Sequence, residues 1–328
     1  MIRSKYLKQT GEIISNLDVN QYPDALADES GLLWVDFEAT PPELDEPILR
    51  MTFDFHPLAI DDALQESHVP KIDDWDDYLY IVLHSMIFEP DNEDRVDTRE
   101  VDFFLGRNYL VTHHDQTILA IDQVWAAFEQ DERLRKKGIG HLFYRLADEI
   151  VASYMPVVEA LDDEIDQAEH QVFDDPTPYT LEKIFRLKRA ILHLRRIIGP
   201  QREVLNRLAR DEYQVIGAKE RVYFRDIYDH LVRLFDITES VRDLVSGTLD
   251  TYLSVINNRM NDIMKTLTII TTLFMPLSFL TGFFGMNFFQ PTYPFGVWTG
   301  RLAFGIVWIL VILTPLIMFA WMRRRRWM

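Results

Sequence analysis

The sequence predicts an α/β domain joined to a long helix and two membrane-spanning helices. Three observations predict it. Thr266–Gly300 and Leu302–Met322 hold no charged residue, with only Arg301 between them. The first 130 residues contain several short stretches rich in Val, Ile, Tyr, Phe and Thr, separated by helical patterns. From Ala218 to Phe284 the only proline is Pro276, and the only glycines are Gly247 and Gly282.

The chain has 328 residues, a net charge of −18 and no cysteine. Thiolate metal centres, disulfide scaffolds and cysteine nucleophiles are therefore excluded. The charge is uneven. Residues 1–130 carry 8 Lys/Arg against 28 Asp/Glu, whereas residues 131–328 carry 26 against 24. So acidic a surface does not suit nucleic acid.

Taken in order, residues 31–37, 78–88, 98–105 and 108–113 read as strands. His56–Gln65 and Thr117–Gln130 read as helices, which makes residues 1–130 a mixed α/β domain. Residues 131–217 read as a helical hairpin. Pro176 and Pro178 mark its turn, and Gly199-Pro200 is expected to interrupt its second helix. Residues 218–284 read as one helix of ~65 residues, or ~100 Å at 1.5 Å per residue. Its last part, about 266–284, is a first membrane span. Residues 285–300, with Pro291 and Pro294, form a loop, 301–322 a second span and 323–328 a basic tail.

Orientation follows from flanking positive charge. Arg323–Arg326 directly follow the second span, bracketed by Trp321 and Trp327, while the connecting loop has no Lys or Arg. This predicts both termini in the cytoplasm of an integral protein of the cell membrane. Met1–Gln21 has no apolar core of the kind a signal peptide needs.

The long helix carries a stripe at spacings of three and four: Asp250, Ser254, Asn257, Asn261, Met264, Thr268, Thr271, Met275, Ser278 and Gly282. A coiled-coil seam would be Leu- and Ile-rich at these positions. This stripe is polar or small with two methionines, and its Asn, Thr and Ser are unfavourable against lipid tails. It fits a water-filled pore enclosed by several copies, or else close helix packing through small residues.

After the first span stands Gly285-Met286-Asn287, within TGFFGMNF. With HPLAIDDAL (56–64), KIDDWDDYLYIVLHSM (71–86), YFRDIYDH (223–230), MKTLTIITTLFMPLSF (264–279) and the terminal RRRRWM, it makes the chain resemble the CorA family of magnesium and cobalt channels from about residue 31 onward. The resemblance implies a funnel-shaped homopentamer transporting Mg²⁺, with Co²⁺ as a further substrate. Gly285, Met286 and Asn287 would then form the external selectivity filter. Mg²⁺ gives up its waters reluctantly, and a ring of Asn amides can bond those waters without stripping them. Asn261 resembles a second polar ring, and Met264 with Leu267 the hydrophobic constriction. Leu267 lies beside the stripe, whose own choice there is Thr268. Thr271, Met275, Ser278 and Gly282 line the upper pore, and Asp250 stands at the cytoplasmic mouth. Asp62 and Asp226 match the acidic positions that bind regulatory Mg²⁺ between subunits.

The loop Phe288–Gly300 lacks the acidic residue common after the motif in this family. A related branch, ZntB, handles zinc and is one alternative; a non-conducting oligomeric anchor is another. The absence of Cys and the scarcity of His near the spans favour a hard cation. No phosphate loop or nucleophile–base constellation is present, so neither a nucleotide partner nor an enzyme is expected. Gly138-Ile-Gly140 is too short for a dinucleotide fingerprint, and His113-His114 are expected at the surface.

Overall fold

The computed structural model describes residues 1–65, 69–88, 96–286 and 301–325. The chain divides into two units, Met1–Asp250 and Thr251–Met328.

The first unit is built on a seven-stranded mixed sheet. Its strands are β1 (Ile2–Leu7), β2 (Ile13–Ser15), β3 (Leu32–Glu38), β4 (Lys71–Asp74), β5 (Leu79–Phe88), β6 (Val96–Leu105) and β7 (Tyr109–His114). Their order across the sheet is β2-β1-β3-β7-β6-β5-β4, with β3 and β7 parallel and every other pair antiparallel. The four strands read from sequence are β3, β5, β6 and β7. The structure adds β1 and β4, which carry Arg3, Lys5, Lys71, Asp73 and Asp74 and therefore lack an apolar signature, and β2, which is only three residues long.

Helices α1 (Tyr22–Ala27), α2 (Pro42–Met51) and α3 (Pro57–Leu64) cover one face of the sheet. Strand alternation sends Leu33, Val35 and Phe37 into that core, where they meet Tyr22, Leu49 and Ile60. Trp34 points the other way, with its ring 4.5 Å from Trp125 and 6.0 Å from Phe128 on α4 (Leu119–Gln130). After α5 (Glu132–Lys136), α6 (Ile139–Ala152) joins this second face. Phe143 packs edge-on against Phe103 at 5.2 Å.

α7 (Tyr154–Asp174) and α8 (Pro178–Arg210) form an antiparallel hairpin whose turn is fixed by a Thr177–Thr180 capping box. The expected interruption at Gly199-Pro200 is absent, since α8 runs through both residues. A proline inside a helix costs about 3 kcal/mol. Burial of Ile197, Ile198, Val204 and Leu205 around it offsets that, at about 1.5–3 kcal/mol for each large apolar side chain. Gln201 adds a clamp: its Oε1 accepts from the His84 backbone N–H at 2.9 Å, tying α8 to β5.

α9 runs from Ala218 to Phe284, 67 residues. Its first turns dock on α6 through Phe224 against Phe143 at 5.5 Å and Tyr223 against Tyr144 at 5.0 Å. The second unit holds the rest of α9 and α10 (Arg301–Arg324). Both helices are long and apolar enough to cross a membrane.

Candidate functional site

The candidate pore face is best read from the coverage of α9 in the second unit. The half-covered residues between 269 and 284 are Ile269, Thr272, Leu273, Pro276, Leu277, Leu280 and Phe284. At 3.6 residues per turn they gather on one side of the helix. Met264, Thr268, Thr271, Met275, Ser278 and Gly282 lie about a third to half a turn away and Asn261 nearer a quarter turn, and all are exposed. Leu267 and Thr268 fall to either side of the middle of that face, and both are exposed. Asp250, at the end of the first unit, is exposed as well.

The stripe's threonines are bonded in one particular way. Thr268 Oγ1 donates to the Met264 carbonyl and Thr271 Oγ1 to the Leu267 carbonyl, both at 2.8 Å. Their hydrogens are used inside the helix, and the hydroxyl oxygens remain as acceptors facing outward. Acceptors suit the waters around a cation, which present protons.

At the end of α9, the Gly285 N–H donates to the Thr281 carbonyl at 2.9 Å. A Cβ at Gly285 would stand 2.8 Å from that same oxygen, so this helix exit needs glycine. Met286 follows, half-exposed. Asn287 and the remainder of the connecting loop lie outside the described residues.

Asp62 sits on α3. The helix start is fixed by His56, whose Nδ1 accepts from the Leu58 N–H at 3.2 Å, with Pro57 at the first helical position. The His56 ring stacks on Trp75 at 4.0 Å, and its backbone N–H donates to the Tyr78 hydroxyl at 2.8 Å. Asp62 is partly exposed, and its Oδ2 accepts from Lys71 Nζ. The period of two along β4 puts Lys71 and Asp73 on one face, where Lys71 Nζ lies 3.4 Å from Asp73 Oδ2. Burial would lower the Lys71 pKa, but the two carboxylates outweigh it and raise it. Sequence reading missed Lys71. The alternation in Lys71-Ile72-Asp73 was the available signal.

Asp226 lies on the exposed side of α9's first turns. Its charge reaches Asp148 and Tyr144 on α6. Burial raises the pKa of Asp148 above the usual carboxylate range, Arg145 offsets part of this, and the Asp226 charge adds to the rise. Asp62 and Asp226 thus have separate surroundings within one chain. Among the described residues no group of three or more His, Asp or Glu is arranged to hold a metal. Mg²⁺ is usually held by one or two carboxylates and keeps several waters, so one carboxylate from each of two copies fits it.

The expectation for His113 and His114 is corrected. Both are buried, because their partners come from distant parts of the chain. His113 Nε2 lies 3.4 Å from Asp45 Oδ2 and its Nδ1 3.8 Å from Asp102 Oδ2. Burial alone would lower its pKa, but these carboxylates push it up to about 9. His114 Nε2 lies 3.2 Å from Asp36 Oδ1, and Arg3 Nε donates to Asp36 Oδ2 at 2.7 Å. His113 thus ties α2 to β6 and β7, and Asp36 ties β1 and β7 to β3.

The comparisons with known proteins follow this geometry. The family model described as CorA-like Mg²⁺ transporter protein matches residues 29–324. YfjQ of Bacillus subtilis is 38% identical over 79% of this chain and 79% of its own. The cobalt/magnesium transport protein CorA of Thermotoga maritima is 34% identical over 84% of this chain and 78% of its own. The zinc transport protein ZntB of Yersinia pseudotuberculosis is 25% identical over 93% and 90%. Among solved structures, the CorA magnesium transporter of Methanocaldococcus jannaschii superposes with a TM-score of 0.83 at 24% identity, covering 100% of this chain and 99% of that one. The chain therefore belongs to the CorA-like Mg²⁺ transporter family.

Proposed function

We propose that the chain forms a homopentameric channel in the cell membrane, with both termini cytoplasmic, that admits Mg²⁺ and Co²⁺ down the membrane potential. Intracellular Mg²⁺ bound between Asp62 of one copy and Asp226 of the next closes it. The observation that carries this reading is the opposition on α9: the polar, small-residue stripe lies about a third to half a turn from the covered side. Two helices per chain cannot enclose a lumen, so the stripe meets water only when several copies form a ring.

In this reading Gly285, Met286 and Asn287 receive the hydrated cation outside. The outward hydroxyl oxygens of Thr271 and Thr268 and the amide of Asn261 offer partners to its waters. Met264 and Leu267 narrow the path with apolar groups that stop conduction by dewetting. A divalent ion crossing 100 mV gains about 4.6 kcal/mol, twice the ~2.3 kcal/mol of a single charge, and no nucleotide is needed. When internal Mg²⁺ is scarce, no ion bridges the two copies there and the ring relaxes toward the conducting form.

The test is uptake into proteoliposomes carrying a Mg²⁺ dye, at zero and millimolar internal Mg²⁺. Zn²⁺ and a proton-sensitive dye are followed in parallel. Voltage-driven Mg²⁺ influx that fades with internal Mg²⁺ is expected. Proton-coupled Zn²⁺ influx would move the chain to the zinc branch, and no flux of any ion would leave an anchor.

A further inference from the structure

The carboxylate proposed to sense Mg²⁺ already has a cation of its own. Lys71 Nζ donates to Asp62 Oδ2 across the gap between β4 and α3. The same ammonium lies 3.4 Å from Asp73 Oδ2 and 5.0 Å from the centre of the Tyr80 ring. That ring is fixed in turn, since the Tyr80 hydroxyl donates to Asp102 Oδ1 at 2.6 Å. Lys71 therefore has a second resting place, between Asp73 and the face of Tyr80, that it can hold when it leaves Asp62.

An ammonium and a divalent ion cannot both sit against one carboxylate oxygen without strong repulsion. We propose that Lys71 is a built-in competitor of the regulatory cation. It occupies Asp62 when the sensor is empty, withdraws to Asp73 and Tyr80 when Mg²⁺ binds, and so sets the internal Mg²⁺ level at which the channel shuts. This rests on the reading of Asp62 and Asp226 as the sensor. Asp73, in this view, is not a ligand. It lowers the cost of moving the lysine and makes the sensor more sensitive than Lys71 alone would allow.

The experiment measures, in proteoliposomes of the full chain, the internal Mg²⁺ that halves uptake, each variant scaled to its own rate at zero internal Mg²⁺. Mg²⁺ protection against chymotrypsin, titrated on the same preparations, gives a readout independent of transport. Lys71→Gln is expected to lower both midpoints about tenfold, the scale of one charged hydrogen bond in a partly exposed pair. Asp73→Asn, which keeps the Lys71–Asp62 pair, is expected to raise them about threefold, within the worth of an exposed ion pair. Lys71→Arg keeps the charge and is expected to stay within about twofold of the parent. Midpoints unchanged or raised in Lys71→Gln, with Asp62→Asn abolishing the inhibition, would overturn the competition and leave the sensor standing. Parent-like inhibition in both Asp62→Asn and Asp226→Asn would overturn the sensor reading and the competition with it.

Discussion

The two units handle their polar residues in opposite ways. In the first, Asp36, Asp45, Asp102, His113 and His114 are buried, and each has a partner elsewhere in the same chain. In the second, the threonines, Asn261 and Ser278 lie on the outside of an apolar helix, and the threonine hydroxyl hydrogens are met by the helix's own carbonyls. A buried polar group without a partner is costly, and the first unit meets these residues from within, leaving Asp45 Oδ1 and His113 Nδ1 without a hydrogen bond. A polar stripe against hydrocarbon is also costly, and the proposed ring of copies is what would give this one water to face. One sequence therefore encodes a domain that pairs these charges within itself and a helix whose polar face is left open in the single chain.

The largest expected effect lies at the end of that exposed helix. Gly285→Ala places a methyl 2.8 Å from the Thr281 carbonyl. Unwinding the exit displaces the adjoining Met286 and Asn287. Mg²⁺ uptake in proteoliposomes is expected to fall more than about tenfold, the scale on which misplaced positioning groups act. Asn287→Ala is expected to match it. Full uptake in either variant would remove the filter assignment.

Within the first unit, the sharpest test is His113. Its replacement by Leu leaves Asp45 and Asp102 buried without the intervening cation, at an expected cost of about 3–5 kcal/mol. The stability of the detergent-solubilised chain should report this as a lowered Tm. The pH dependence has a definite sign. The folded pKa of His113 is about 9, above its ordinary 6.5. Its contribution is therefore full below about pH 6.5 and is lost as pH rises through about 9. The parent should lose Tm over that window more steeply than His113→Leu. Parallel curves would show that the pair of carboxylates does not depend on the imidazolium.

These two tests also mark what could be read from the amino-acid order. The second unit was legible because hydropathy, the near-absence of proline and a stripe at helical spacing are all local signals. The first was legible in its apolar strands and opaque in its charged ones. β1 and β4 hide Arg3, Lys5 and Lys71 among strand residues because their partners, Asp36, Asp122, Glu129 and Asp62, lie outside those strands. His113-His114 looked like surface for the same reason. Asp62 and Asp226 stood out only through family resemblance, since nothing local separates them from the many other carboxylates of so acidic a chain. The helix through Gly199-Pro200 depended on burial of residues on both sides of it, which a rule about proline alone does not weigh.

A more moderate effect is expected at the constriction. Met264→Ser replaces an apolar wall by a wettable one. At millimolar internal Mg²⁺, where the proposed gating would shut the parent, the variant should retain several-fold more flux, measured with the same dye. Leu267→Ser and Thr268→Val should be compared beside it, because the two positions flank the middle of the face. The one that alters closed-state flux is the one that faces the lumen. If none of the three changes the closed state, dewetting is not how the path is sealed.

The smallest effects make the comparison between the units most directly. Gly199 in α8 and Gly282 in α9 are both helical, and a Cβ at either meets nothing within 4 Å in the chain. Within a single copy they are equivalent, and alanine at each should favour the helix by about 0.5–1 kcal/mol. At Gly199 that gain should appear as a Tm raised by a few degrees with transport unchanged. At Gly282 the open space would, in the proposed pentamer, belong to the lumen, and a methyl from every copy would narrow it at one level. Gly282→Ala should therefore fold at least as well as the parent and carry Mg²⁺ several-fold more slowly. If it carries Mg²⁺ at the parent's rate, the space beside Gly282 is not the ion's path, and the stripe is a packing surface instead. Two substitutions of the same kind, equivalent in the isolated chain, thus test whether the face beside Gly282 is a path for the ion or a packing surface.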